Sequence, residues 1–230
     1  MSVISGIEPA PRHPGRFYIL IDGIPSVTLS LDAIDRLGLR VGRDVSGLAD
    51  AMVMEATQLA VYDRALNMLA FRARSSAELA RALVRKGAER SVVDRAIARL
   101  QEQGLLDDFA FAQSFTRAKV LGANQSRRRV QQELARKGVA REVGDEAIEL
   151  VFDEEGIDQR EVVEAAARKK LRTLAKHEPV VRRRRLYAFL ARRGYDGDDI
   201  RRAMEAVGQE LTRSGDEDGE SDGVGHGEED

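Results

Sequence analysis

The 230-residue sequence contains no cysteine and no tryptophan, and aromatic residues make up only 5% of it. Without cysteine there are no disulfides and no thiolate metal ligands, and a reducing compartment fits. The three histidines are His13, His177 and His226, and none has a second histidine or a cysteine at ligand spacing. They read as solvated side chains rather than metal ligands. There is no H-E-x-x-H motif and no G-x-x-x-x-G-K-[ST] phosphate loop. Gly223-Val224-Gly225-His226-Gly227 has no strand before it and no helix after it, so it reads as low-complexity sequence. No apolar run approaches the length of a membrane span, and the N-terminus lacks a signal-peptide core. Together these absences lead to the expectation of a cytoplasmic, monomeric chain with no membrane association. It should not be an enzyme, and it should carry no cofactor, no metal and no catalytic residues.

The remainder favours helices. Hydrophobic residues make up 43% and charged residues 33%, enough apolar content for most of the chain to fold. Three of the five prolines fall within residues 1–15, and this stretch is expected to be loose. Phe17 to Ile21, Asp22-Gly23 and Ile24 to Leu29 read as a hairpin closed by a type I′ turn, with Pro25 suited to an edge strand. A short helix around Leu31 to Leu37 should end at Gly38. Ser46 is a candidate cap for a longer helix carrying Leu48, Met52, Leu59, Tyr62, Leu66 and Leu69.

From about residue 63 the chain repeats itself. Leu83-Val84-Arg85-Lys86-Gly87, Leu134-Ala135-Arg136-Lys137-Gly138 and Leu190-Ala191-Arg192-Arg193-Gly194 align, with their glycines 51 and then 56 residues apart. Eight residues before each glycine stands Leu79, Val130 or Leu186, and nine after it Ala96, Ala147 or Ala203. Ten after it stands Ile97, Ile148 or Met204, and thirteen after it Leu100, Val151 or Val207. Apolar residues four apart share a helix face, the basic pair suits the negative helix end, and the glycine stops the helix in the left-handed conformation. Ser75 with Glu78, Ser91 with Asp94, Ser126 and Asp107 are candidate helix starts, and Gly122 a stop for the helix beginning at Asp108. The expected fold class is mainly α: three tandem three-helix repeats in an elongated curved array, with a small N-terminal extension containing the hairpin. The expected boundaries are 1–62 for the extension, 63–106, 107–156 and 157–209 for the repeats, and 210–230 for a disordered acidic tail.

The formal charge of −2 hides a segregation. Residues 214–230 hold eight acids and no base, so the 37 bases and 31 acids of residues 1–213 leave a charge of +6 there. Such a tail can compete with an anionic partner for the basic body. Residues 117–137 carry Arg117, Lys119, Arg127, Arg128, Arg129, Arg136 and Lys137 against one acid. Residues 168–193 carry eleven bases against one acid, among them Lys169, Lys170, Arg182, Arg183, Arg184, Arg185, Arg192 and Arg193. Any one such stretch could be a solvated helix face. Two at corresponding places in successive repeats, all expected to be exposed, suggest a cationic track for phosphates or an acidic protein groove. No base-reading set of Asn, Gln and aromatics accompanies them, so sequence preference should be slight and binding to single-stranded DNA weak.

Several of these strings are familiar. Arg72-Ala73-Arg74-Ser75-Ser76-Ala77-Glu78-Leu79 followed by Leu83 to Gly87 resembles the opening module of the RecX family of recombination regulators. Gly104-Leu105-Leu106-Asp107-Asp108-Phe109-Ala110 resembles the link into the second module, and Arg127 to Gly138 the second module's basic helix. Leu186 to Tyr195 resembles the third module. The similarity spans about residues 60–209 and implies a regulator that binds the RecA filament on single-stranded DNA, in its helical groove. Such a protein restrains filament extension, ATPase activity and strand exchange, in DNA repair and the SOS response. Arg72 and Arg74 then join the basic tracks as candidate contacts. The alternative is a helical-repeat protein acting on nucleic acid alone.

Overall fold

The computed structural model describes residues 2–11 and 13–208. The acidic segment from residue 210 on, expected to be disordered, lies outside these residues. Among the described residues there are three strands and ten α-helices, and the chain divides into two compact units that meet in sequence between Asp108 and Phe109.

Asp22 and Gly23 both take positive φ, 50° and 84°, as a type I′ turn requires. They join β2 (Arg16–Ile21) to β3 (Ile24–Ser30). The stretch expected to be loose contains a third strand, β1 (Ile4–Pro9), which pairs antiparallel with β2 and makes β2 the central strand. Its pattern has little alternation, but pairing to β2 satisfies its backbone, and Ile4 is fully buried beneath the sheet. Both prolines of the sheet, Pro9 and Pro25, fall on edge strands.

Ser30 caps α1 (Leu31–Arg36), accepting from the Ala33 N–H, and Gly38 follows at φ 61°. Ser46 caps no helix: its hydroxyl donates to Asp44 at 2.6 Å. The long helix α2 (Ala49–Phe71) begins after Leu48 with no side-chain cap. This 23-residue helix serves two cores. Met52 packs with Ile4, Ile19, Leu29 and Ile34 under the sheet. Val61, Tyr62 and Ala65 pack with α3 (Ser76–Arg85) and α4 (Arg90–Glu102). The expected boundary at residue 62 thus falls inside a continuous helix. Arg16 of β2 forks onto Asp63 of α2 at 2.6 and 3.2 Å, tying sheet and helix together.

The second unit holds α5 (Asp108–Arg117), α6 (Arg127–Lys137), α7 (Arg141–Glu154), α8 (Gln159–Arg172), α9 (Pro179–Arg192) and α10 (Gly197–Ala206). Two clusters fill it, one around Val130, Leu134, Ala147 and Ile148, the other around Ala167, Leu186, Leu190, Ile200 and Ala203. The repeat offsets mark the core: each Leu or Val eight or four before the glycine, the alanine nine after and the residue thirteen after are all buried. The repeat glycines 87, 138 and 194 all take φ between 84° and 89°, a conformation costly for any residue with a Cβ.

Capping repeats too. Ser75 and Ser126 accept from the N–H groups of Glu78 and Arg129, at 3.1 and 3.2 Å. The next N–H group, of Ser76 or Arg127, donates to a side chain 32 residues downstream, Asp108 (2.7 Å) or Gln159 (3.3 Å). Gln159 opens the first helix of the third module, so there one orphan donor fastens the second module to the third. Two expected features differ. Ser91 does not start α4; its hydroxyl donates to Glu89, while Asp94 pairs with Arg90 at 2.8 Å. Gly122 is not the turning residue after α5. The helix continues as a π-helical turn over Ala118–Gly122, and the positive φ falls on Asn124 at 49°.

Candidate partner-binding surface

The repeat rule places the bases. Each second helix ends in a basic pair before its left-handed glycine, so these cations face the negative helix end. In the second unit the structure brings two of the predicted groups together. The Ser126 N–H donates to the Arg193 carbonyl at 3.1 Å, and the Tyr195 hydroxyl donates to the Asn124 carbonyl at 3.0 Å. Arg127 to Arg129 therefore start their helix against the loop that follows Arg192 and Arg193. Burial raises the pKa of the Tyr195 hydroxyl, outweighing the opposing pull of Arg193, so it stays a donor. Arg183 to Arg185 lie elsewhere on α9, with Arg185 eight residues before Arg193, about 12 Å along the helix axis.

Many of the predicted contact residues have internal partners. Arg117 pairs with Glu154 and Glu155 at 2.6 and 2.9 Å. Lys119, on the π-helical turn, and Arg129 share Glu133 at 3.1 and 2.9 Å, and Gln125 donates to the same carboxylate at 3.3 Å. Burial pushes the Glu133 carboxyl up, but the hydrogen bonds and charges of Lys119 and Arg129 outweigh it and hold it below its usual value. The cluster ties the π turn to α6. Arg72 lies 3.7 Å from Glu78, and Arg74 donates to the Met68 carbonyl at the end of α2. Arg185 approaches His177 Nε2 at 2.7 Å.

Aromatic rings underlie several others, and nothing in the charge count signals them. Arg127 lies 5.5 Å over Phe152, and Lys137 5.6 and 5.1 Å over Phe111 and Phe115. Lys170 and Arg193 lie 5.5 and 4.4 Å from the Phe189 centroid. Aromatics therefore accompany the basic stretches as cation–π seats for the bases themselves. Such seats hold a flexible cation in place and lower the entropy lost when it meets an anion.

Arg182 departs from its expected exposure: it is 5% exposed. It stands twelve residues before Gly194, where the other modules have Ser75 and Ser126. In this module the helix runs on for another turn, with Pro179 at its start and the Arg182 N–H donating to the Glu178 carbonyl. Arg182→Ser should cost about 1–3 kcal/mol through lost packing of the side-chain stem, whereas Arg183→Ser and Arg184→Ser should stay within about 0.5 kcal/mol. Urea denaturation of the three single variants checks this, and equal midpoints would count against it. Arg128, Lys169, Arg183, Arg184 and Arg192 are exposed, and among the described residues they carry no ion pair.

No group of three or more His, Asp or Glu among the described residues could hold a metal ion, and none of their helices is long and apolar enough to cross a membrane. The fold displays a tandem array of three-helix modules, each with its own core and a basic helix closed by a left-handed glycine.

That class has a family. Models of the first, second and third three-helix domains of RecX match residues 62–100, 107–148 and 158–204. The regulatory protein RecX of Chlorobaculum tepidum is 38% identical over 161 residues, 70% of this chain and 96% of its own length. That of Halalkalibacterium halodurans is 29% identical over 212 residues, 90% of this chain and 79% of its own. A crystal structure of a regulatory protein RecX superposes with a TM-score of 0.70 at 21% identity, covering 91% of this chain and all of the other, which supports the fold. The chain belongs to the RecX family of regulatory proteins.

Proposed function

We propose that the chain is a non-catalytic, cytoplasmic and monomeric regulator. It binds the RecA recombinase filament on single-stranded DNA, in the filament's helical groove, and restrains filament extension, ATPase activity and strand exchange during DNA repair and the SOS response. Membership of the RecX family carries this reading. The exposed bases give it a chemistry: Arg128, Arg183, Arg184 and Arg192 are cations turned to solvent, suited to an anionic partner. The seated bases Arg127, Lys137 and Arg193 add pre-positioned charge beside them. Contacts to single-stranded DNA on this reading are electrostatic, weak and without sequence preference.

Co-sedimentation checks the choice of partner. The chain should pellet with RecA filaments formed on single-stranded DNA in much larger amount than with the same DNA alone. Equal recovery in the two pellets would instead make it a protein acting on nucleic acid alone.

A further inference from the structure

Two of the exposed bases, Arg183 and Arg184, stand in a groove of the third module. Along α9, Val180, Arg183, Arg184 and Tyr187 fall on one helix face by their spacing of three and four. Along α10, Gly197, Arg201, Met204 and Glu205 do the same, with Gly208 just beyond. The two faces line an open groove of about 970 Å³. Its apolar wall is unusually bare, with Val180 81% and Tyr187 50% exposed. Its charge is positive: Arg183 and Arg184 have no ion pair among the described residues, while Arg201 is held by Asp198 at 2.6 Å and one acid, Glu205, opposes them.

The sequence C-terminal to this groove is its electrostatic complement. Gly208 lines the groove and is the last described residue. Twenty-two residues come next, and Asp216, Glu217, Asp218, Glu220 and Asp222 place five acids within seven positions. Seven residues separate Gly208 from Asp216, so the eight steps between them reach up to about 26 Å when extended. The acids are thus tethered close to the arginines, at an effective concentration on the order of millimolar.

We propose that the acidic segment 216–222 of this same chain docks at the α9–α10 groove, pairing with Arg183 and Arg184 beside Val180. The contact is autoinhibitory: an anionic partner must displace the segment before it reaches these arginines. Its strength falls as salt rises, because exposed ion pairs are screened over about 8–10 Å at 0.1–0.15 M. The contact does not depend on the identity of the partner.

The absence of cysteine from the 230-residue chain allows a direct test. Val180→Cys and Ser221→Cys are introduced together, and the rate of cross-linking by a short bis-maleimide is read by mass spectrometry. A second pair, Leu150→Cys with Ser221→Cys, reports the rate of random encounter. The expected result is an intramolecular cross-link at position 180 that slows about fivefold or more in 0.5 M salt, or when Arg183→Ser and Arg184→Ser are added. The rate at position 150 should barely change. Replacing the five acids by their amides should have the same effect as replacing the arginines. A rate at position 180 indifferent to salt and to both sets of charges would overturn the proposal. So would cross-links found only between molecules, which would assign the groove to a second copy. The assay contains neither DNA nor recombinase, so its failure is distinguishable from failure of the filament-binding reading.

Discussion

Replacing Gly194 with alanine is expected to destabilise the protein by about 2–5 kcal/mol, whereas the same change at Gly87 should cost only about 1–2 kcal/mol. The two glycines do the same local job at nearly the same φ, 89° and 87°. The left-handed penalty is therefore common to both. Their surroundings differ. A Cβ at Gly87 meets nothing within 4 Å, but one at Gly194 would stand 2.6 Å from both Arg129 Cβ and Ser126 Oγ, and 3.2 Å from the Arg129 backbone. The arginine Cβ is fixed to the start of α6, so the helix itself must move. That movement would break the Ser126–Arg193 backbone bond and disturb the cap on Arg129. Urea denaturation of both variants measures the difference. Equal losses would mean that Gly194 serves only to end α9 and that the second and third modules are not locked there.

The second large effect concerns the solvent-facing bases. Arg183→Ser, Arg184→Ser and Arg185→Ser combined should leave the fold intact, since each is exposed. If all three meet phosphates, the slope of log affinity against log salt on single-stranded DNA should flatten by about 2, at roughly 0.7 per contact. If they meet acids on the recombinase, inhibition of RecA should weaken while the DNA slope stays near its parent value. On the proposed reading both move, because the densest charge of the chain faces a filament made of both components. Arg182 is left unchanged in this variant, since a buried residue would confound binding with stability. A triple variant that inhibits RecA as well as the parent would place the contact elsewhere, with Arg127 and Arg128 the next candidates.

The helical modules were legible because one residue per offset does one physical job. The leucines at 79, 83, 134, 186 and 190 are buried, and the three glycines are left-handed. The caps divided. Ser75 and Ser126 stand where the chain enters a helix in extended backbone, and the N–H three residues on donates to their hydroxyls. Ser46 and Ser91 have an acid two residues earlier that takes their hydroxyl instead, and a spacing rule for helix starts does not weigh that competitor. Strand β1 was hidden because its stability comes from β2, not from its own alternation. The π-helical turn is likewise a tertiary feature, held by Lys119 on Glu133. For the candidate surface the bases were plain to see, but their standing was not. Whether an arginine is buried like Arg182, seated on a ring like Arg193, or open like Arg184 depends on which helices flank it. The extra turn at the start of α9, which puts Arg182 where the other modules have serine, has no signature at the repeat offsets.

The most direct measurement is the single-stranded-DNA-dependent ATPase rate of RecA as the 230-residue chain is added. The expected result is a saturable fall in rate at substoichiometric to stoichiometric ratios of chain to RecA, with the chain alone showing no turnover. An ATPase rate that stays flat through an excess of the chain would contradict a regulator of the RecA filament.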